Sequence, residues 1–197
     1  ITIAQYTTPN DPQDQIDLMI SERRDVTPFE TVDMYFHHIL SNVNVFAKVG
    51  NAFDTTQVTS ITMTSIKFYN MFATGRYDQT GWSQERAVGA WSNLSDYMQI
   101  PAKTNIEITK TSIPVYSDYL MIPQTLFSTA SQPKDICIDA AFRIVYKNGT
   151  TSSHSKKGIR LAGITGVSNT NTKPITAWQP NYRYNYTLVF NPQVSTR

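Results

Sequence analysis

The chain has 197 residues, a formal net charge of +2 and only 16% charged residues, fewer than the roughly 25% of an average globular protein. With so small a charge and no basic run longer than Lys156–Lys157, the sequence argues against a nucleic-acid-binding surface. No apolar run approaches the ~18–20 residues that a membrane-spanning helix needs, and the single cysteine cannot form an internal disulfide.

The first half of the chain alternates apolar and polar residues, a pattern that indicates β-strands. Two strands are predicted within Thr31–Val49 and a third over Val58–Phe72. Helical turns are expected only near Ser21 and near Ser83. Loops are predicted where Gly, Pro, Asn and Asp cluster, at Pro9–Gln15, Gly75–Gly81 and Ser168–Pro174.

The second half continues the same pattern. Asn105–Tyr116 is predicted to be a strand that Pro114 cuts short, and Asp118–Pro123 a short apolar strand. Asn148-Gly149 predicts a hairpin with a type I′ turn, because this dipeptide tolerates the positive φ angles that such a turn needs. The polar return strand is expected to lead towards Gly158–Leu161.

The last strand carries an unusual amount of aromatic surface. The segment WQPNYRYNYTLVF predicts an antiparallel strand ending at Phe190. Its alternate residues would form one large apolar face able to cover a core. The residues expected on that face are Tyr182, Tyr184, Tyr186, Leu188 and Phe190.

Many short strands with turn signals between them favour an all-β sandwich. A shift in composition near Thr111–Pro114 suggests an internal boundary. We therefore expect residues 1–111 to be the later part of an N-terminal sandwich and residues 112–197 to form a C-terminal one.

No group of residues predicts catalysis, a metal site or a cofactor. His37 and His38 are adjacent, so on a strand they face opposite sides and do not share a metal ion. His154 has no cysteine or carboxylate at ligand spacing, and the acidic residues fall singly on edges and loops. Cys137 lies in an apolar run and is expected to be a buried thiol. We expect a protein that is not an enzyme.

Exposed aromatic residues leave a second function open. Trp82 and Trp91, next to polar loops, are candidate contacts for a surface glycan. Aromatic side chains at such positions more often pack in a core or at its rim. A glycan-binding β-sandwich module is thus the alternative to a purely structural role.

Four motifs occur in a fixed order along the chain. QIDLMIS contains a D-L-M segment, and YFHHILSNVNV follows it with Phe36, His38, Leu40 and Ser41 in an F-x-H-x-L-S-x-V pattern. YLMIPQTL contains I-P-Q, and the closing segment places Trp178, Tyr184 and Tyr186 in a W-x-x-x-x-x-Y-x-Y-x-L-x-F pattern. Together these motifs resemble the fimbrillin-like family of Bacteroidota.

The resemblance implies transthyretin-like β-sandwiches, usually two in tandem, in surface fimbriae or cell-adhesion proteins. It implies a fimbrial subunit or tip component, whose partners would be other subunits bound by strand exchange or a host or bacterial surface glycan or protein. It also implies export as a lipoprotein precursor to the outer membrane. Since the lipid-anchor cysteine and the first strands are absent, we expect Ile1 to fall inside the first sandwich of a longer precursor.

Overall fold

The computed structural model describes residues 1–21, 31, 34–82, 87–168 and 171–191. These residues form β-strands and one short 3-10 helix, Pro12–Asp14. The strands are β1 (Thr2–Thr7), β2 (Met19–Ser21), β3 (Phe36–His38), β4 (Ser41–Val49), β5 (Val58–Trp82), β6 (Ala87–Lys103), β7 (Ile106–Glu107), β8 (Ile113–Met121), β9 (Cys137–Tyr146), β10 (Thr151–Arg160), β11 (Thr165–Ser168), β12 (Asn171–Pro174) and β13 (Arg183–Phe190).

The larger sheet is organised around the long strand β5. Its first half, rich in β-branched residues, pairs with β9 and β7, and β10 continues the sheet beyond β9. The second half pairs with β6 on one edge and with β1 on the other. All of these pairs are antiparallel.

The smaller sheet has the strand order β13, β4, β8 and packs against the larger one. Phe68 of β5 meets Trp178 edge-on, with ring centres 6.1 Å apart, and Phe190 of β13 stacks on Phe142 of β9 at 4.1 Å. Two sheets that share one apolar core form a sandwich. The predicted all-β fold is confirmed. A transthyretin-like arrangement in tandem stays a prediction.

A second, smaller apolar cluster lies along the far half of β5. Its members come from β1, β2, β5, β6 and the segments beside β2 and β3, namely Ile3, Leu18, Ile20, Ile39, Tyr77 and Trp91. The amide of Ile39 donates to the carbonyl of Leu18 at 3.0 Å. This cluster holds the β2–β3 ribbon against the long strand.

The last strand lies where the sequence predicts it but runs in a different direction. β13 pairs in parallel with β4, from Arg183 opposite Asn42 to Phe190 opposite Val49. The prediction of an antiparallel strand was wrong because alternation determines which side chains face the core and is the same for both directions. Within β13 the alternation is as predicted. Tyr182 stands just before the strand and is 62% exposed, so its predicted place on the covering face was also wrong.

The hairpin between β9 and β10 forms at Asn148-Gly149, but not with the predicted turn type. A type I′ turn needs positive φ at both central residues. Here Gly149 has φ 82° and Asn148 is not among the residues with positive φ. The amide of Gly149 donates to the carbonyl of Tyr146 at 3.0 Å. This bond and the positive φ of Gly149 are typical of a three-residue hairpin loop whose last residue is in the left-handed conformation.

Gly149→Ala tests this turn. We expect a loss of about 1 kcal/mol in the free energy of unfolding, because a left-handed conformation costs an L-residue roughly 1–2 kcal/mol. A Cβ there would meet no atom within 4 Å, so the cost is conformational alone. Urea unfolding of this variant measures the effect, and Lys147→Ala, at an exposed residue of the same loop, is the control. An unchanged midpoint for Gly149→Ala would contradict the turn described.

Four other local predictions differ from the structure. Asn171–Pro174, within the predicted loop Ser168–Pro174, forms β12 and pairs with β11. Gly75–Gly81 lies inside β5, because pairing on both edges of the strand outweighs the local turn signal. Ala87–Trp91, in the segment expected to form a helical turn near Ser83, belongs to β6, and the other expected turn, after Ser21, lies outside the described residues. Pro114 does not end a strand but stands inside β8, an outer strand, where a missing amide is tolerated.

Strands from the two sides of the expected domain boundary pair with each other in both the larger and the smaller sheet. β5 pairs with β9, and β4 pairs with β8 and β13. One apolar core contains residues from Val43 to Tyr186. The division into 1–111 and 112–197 stays a prediction, and the described strands form their sheets across it.

Candidate functional site

The outer side of β13 is an unpaired sheet edge within the described part of the chain. β4 is its only described hydrogen-bonding neighbour. The amide of Asn42 donates to the carbonyl of Tyr182 at 2.9 Å, and that of Gly50 to the carbonyl of Phe190 at 3.0 Å. The even-numbered residues of β13 therefore bond to β4, and the odd-numbered ones point their N–H and C=O groups outward. We call these residues, Arg183, Asn185, Thr187 and Val189, the open edge.

The core beneath the open edge is incompletely covered. The inward residues of β4 are 0–1% exposed, whereas Tyr184, Leu188 and Phe190 of the neighbouring β13 are only partly buried. On the facing sheet, β10 is the outer strand, and its His154 contacts the Phe190 ring edge-on at 5.7 Å. One side of the sandwich, between β10 and β13, thus exposes both unpaired backbone and half-buried apolar side chains.

The opposite edge of the same sheet is protected. The amide of Leu120 in β8 donates to Gln15 Oε1 at 2.6 Å, and Lys103 Nζ donates to the carbonyl of Val115 at 2.7 Å. Pro114 removes another donor. A proline and side chains that occupy backbone groups are the usual means of preventing edge-to-edge pairing. The β8 edge of this sheet is therefore protected against pairing, whereas the β13 edge is open.

Two motif residues fix the closing strand in the core. Trp178 is 1% exposed, and its Nε1 donates to the hydroxyl of Tyr186 at 3.1 Å. Burial raises the pKa of Tyr186 well above the ordinary value. The hydroxyl of Tyr184 accepts from the amide of Gln179 at 2.9 Å. Ser41 Oγ donates to the carbonyl of Gln179 at 2.8 Å. The W-x-x-x-x-x-Y-x-Y spacing thus brings Trp178 next to Tyr186 and places Tyr184 against Gln179, in the turn that precedes the strand.

The side chain of Gln124, from the I-P-Q motif, makes the backbone hydrogen bonds that a neighbouring strand would otherwise make. β9 pairs with β5 as far as Tyr69, and β1 pairs with it from Thr74, both on the edge opposite β6. Phe72 lies in the gap between them. Its amide donates to Gln124 Oε1 at 2.8 Å, and Gln124 Nε2 donates to its carbonyl at 3.2 Å and to that of Ile122 at 3.0 Å. One buried amide side chain therefore satisfies a backbone position that has no strand partner there.

Two further motif residues, His38 and Leu40, border a surface cleft with a volume of about 200 Å³. Its polar lining comes from Asp17, His38, Asn42, Asn181, Tyr182 and Arg183. Leu40, which is buried, and Leu120 supply the apolar part of the lining. We call it the Tyr182 cleft. Phe36, on the exposed face of β3, is open to solvent and is not among its lining residues.

Hydrogen bonds and one close polar contact join the walls of the Tyr182 cleft. His38 Nδ1 lies 2.7 Å from Asp17 Oδ2. Arg183 donates through Nη2 to Asp118 Oδ1 at 2.7 Å and through Nε to Asn42 Oδ1 at 3.3 Å. The amide of Asn181 donates to the carbonyl of Leu40 at 3.0 Å. The cleft is thus formed by four separate parts of the chain.

Sequence patterns did not indicate this cleft. Of its lining residues, the sequence pointed to His38 and Leu40 only as motif residues and to Tyr182 only as part of the face expected to cover the core. Asn181, Tyr182 and Arg183 lie at the start of the last strand, far in sequence from Asp17. No spacing rule connects such residues, because the parallel pairing of β13 with β4 brings them together.

The two tryptophans predicted as glycan contacts lie elsewhere. The Trp91 ring is packed against Tyr6 and Tyr77, with ring centres 5.9 Å and 5.4 Å away, and its Nε1 donates to the carbonyl of Ile39 at 2.8 Å. These are contacts of a side chain in the smaller core. The side chain of Trp82 lies outside the described part of the structure. A glycan contact at either residue stays a prediction.

The other reactive side chains occupy structural positions. His37 is buried and His38 exposed, so the adjacent histidines face opposite sides, as predicted. Cys137 is a buried free thiol, and burial raises its pKa. Among the described residues no three His, Cys, Asp or Glu side chains are grouped to hold a metal ion, and no helix is long and apolar enough to cross a membrane.

The chain belongs to the fimbrillin-like family, whose model matches residues 1–197. The resemblance seen in the four motifs is therefore confirmed. Family membership supports a fimbrial or cell-adhesion role at the cell surface and a structural, non-enzymatic character. No match was found among curated proteins.

Among solved structures, the chain is similar to a proposed cell adhesion protein from Bacteroides uniformis, with 15% sequence identity and a TM-score of 0.42. The match covers 96% of this chain and 60% of that one. The chain therefore spans less than two thirds of the length of that protein.

Proposed function

We propose that this chain is a non-catalytic subunit of a cell-surface fimbria, in the shaft or at the tip, and that it joins its neighbours by β-strand addition. The strand of a neighbouring subunit would pair with the open edge of β13. Export as a lipid-anchored precursor to the outer membrane is part of the same proposal.

The observation that carries this proposal is that unpaired backbone groups and incompletely covered apolar side chains lie on the same side of the sandwich. The open edge offers backbone groups without a described partner, and Tyr184, Leu188 and Phe190 beneath it are only partly buried. A missing strand accounts for both. Strand addition uses main-chain hydrogen bonds for affinity and pockets for alternate side chains for specificity.

The energetics of such an addition are favourable. Each hydrogen bond contributes about 0.5–1.5 kcal/mol net, and each newly buried apolar area adds about 25 cal/mol per Å². The odd-numbered residues of β13 supply both a donor and an acceptor, so an incoming strand finds several bonds in one register. The protected edge at β8 offers no such row, which favours addition on the β13 side.

Thr187→Pro tests the proposal at the centre of the open edge. The amide of Thr187 points away from β4, so a proline there removes an outward donor and leaves the bonds to β4 in place. We expect the native chain to form concentration-dependent oligomers or fibres and the proline variant to sediment as a monomer. Sedimentation velocity and electron microscopy measure this.

Thr187→Val is the matched control, because it keeps the backbone amide and changes only an exposed side chain. It should assemble like the native chain, and thermal unfolding should show that the proline variant is still folded. A native chain that stays monomeric at every concentration, or a folded proline variant that assembles normally, would refute strand addition here.

A second candidate function is recognition of a surface glycan. The observation that favours it is the Tyr182 cleft, which combines an exposed aromatic ring with amide, carboxylate and guanidinium groups.

A further inference from the structure

We propose that the Tyr182 cleft binds a neutral sugar residue of a glycan. The site uses different residues from the strand-addition proposal except at the start of β13, and it does not depend on assembly. It is also distinct from the tryptophans that the sequence singled out.

The unused polar groups of the cleft match a sugar. Within the described part of the chain, no protein group is hydrogen-bonded to Asp17 Oδ1, His38 Nε2, the side-chain amide of Asn181 or the hydroxyl of Tyr182. The set contains acceptors, donors and groups that are both. A sugar hydroxyl also donates and accepts, so adjacent hydroxyls can satisfy such a mixed set.

The charges of the cleft disfavour ionic ligands. Arg183 is paired with Asp118, and Asp17 Oδ2 lies 2.7 Å from His38 Nδ1. An anionic ligand would meet the Asp17 carboxylate, and a cationic one would meet the Arg183 guanidinium. Like charges brought together in a recessed site cost binding energy. A neutral polar ligand meets neither penalty.

Size and shape favour a single sugar ring. The volume of about 200 Å³ is below the range of drug-sized pockets, roughly 300–1,000 Å³. Tyr182 is 62% exposed beside the polar groups, and Leu40 and Leu120 form an apolar floor. A ring with one apolar face and a rim of hydroxyls fits that combination of aromatic, apolar and polar walls.

The backbone of the cleft is held in an uncommon conformation. Asn181, which lines the cleft, has φ 64°, and Asp118, which anchors Arg183, has φ 59°. Positive φ in residues other than glycine is uncommon, and such residues cluster at functional sites.

The test is a titration of the purified chain with methyl glycosides of glucose, galactose, mannose and N-acetylglucosamine, followed by calorimetry and by NMR of the backbone amides. N-acetylneuraminic acid serves as the anionic probe. We expect at least one neutral glycoside to bind with a dissociation constant on the order of 1 mM, and to shift the amides of Asn181 and Tyr182.

Two variants remove ligand contacts without removing core residues. Asn181→Gly deletes the amide side chain and keeps the positive φ that glycine adopts freely, and Tyr182→Ala deletes the exposed ring. Each should weaken binding about tenfold, the equivalent of one good hydrogen bond or ring contact. Phe127→Ala, at an exposed aromatic residue outside the cleft, should bind like the native chain.

The proposal is overturned if no neutral glycoside binds, if only N-acetylneuraminic acid binds, or if either cleft variant retains native affinity. Because Thr187→Pro addresses assembly and leaves the cleft residues in place, it should retain sugar binding. The failure of one proposal is therefore distinguishable from the failure of the other.

Discussion

Replacing Trp178 by alanine is expected to lower the free energy of unfolding by about 5 kcal/mol. Removing a buried tryptophan costs roughly 3–5 kcal/mol through lost burial and the cavity left behind. The change also leaves the Tyr186 hydroxyl without its donor in a site that is 4% exposed, at a cost of about 1–3 kcal/mol. Such a loss approaches the whole stability of many domains, about 5–15 kcal/mol.

Urea unfolding followed by circular dichroism measures the Trp178 effect. Tyr182→Ala is the matched control at an exposed aromatic residue four positions along the chain, and its stability should change by less than about 0.5 kcal/mol. A loss below about 2 kcal/mol for Trp178→Ala would mean that this ring does not occupy the core contact with Phe68 described here.

Gln124→Met is expected to cost about 3 kcal/mol in the free energy of unfolding, although methionine has a similar volume and greater hydrophobicity. The variant leaves the amide and carbonyl of Phe72 without their described partner, and each unsatisfied buried group costs about 1–3 kcal/mol. Hydrogen exchange at Phe72 should accelerate more than exchange along the neighbouring part of β5.

Gln99→Met makes the same chemical change at an exposed position of β6 and should leave stability within about 0.5 kcal/mol. If Gln124→Met were neutral or stabilising, the gap between β9 and β1 would be closed by something other than the Gln124 side chain. The account of the I-P-Q motif would then be wrong.

Local sequence patterns predicted the strands and the fold class. They did not predict features that depend on pairing between distant strands. Alternation identified Val58–Phe72 and the inward side chains of β13, because the period of two is a property of the strand itself. It did not reveal that β13 runs parallel to β4, since direction depends on the partner. It also placed a loop at Gly75–Gly81, where pairing of both edges of β5 holds glycine in a strand.

The candidate sites were less predictable than the fold. Trp178, Tyr184 and Tyr186 were found because a family motif carries them, and their hydrogen bonds explain its spacing. The Tyr182 cleft joins residues from four parts of the chain, for which a single sequence holds no signal. Trp91 was predicted only as a candidate glycan contact, and its packing against Tyr77 and its bond to Ile39 depend on distant parts of the chain that a sequence pattern does not reveal.

The central claim is that β13 offers its outer edge to the strand of another subunit. Hydrogen exchange at single-residue resolution along β13, in the monomer and in the assembled form, tests it most directly. We predict that the amides of Asn185, Thr187 and Val189 exchange quickly in the monomer and become protected on assembly, while those of Tyr186 and Leu188, bonded to β4, are protected in both. Outward amides that are already protected in the monomer, or that still exchange quickly after assembly, would contradict it.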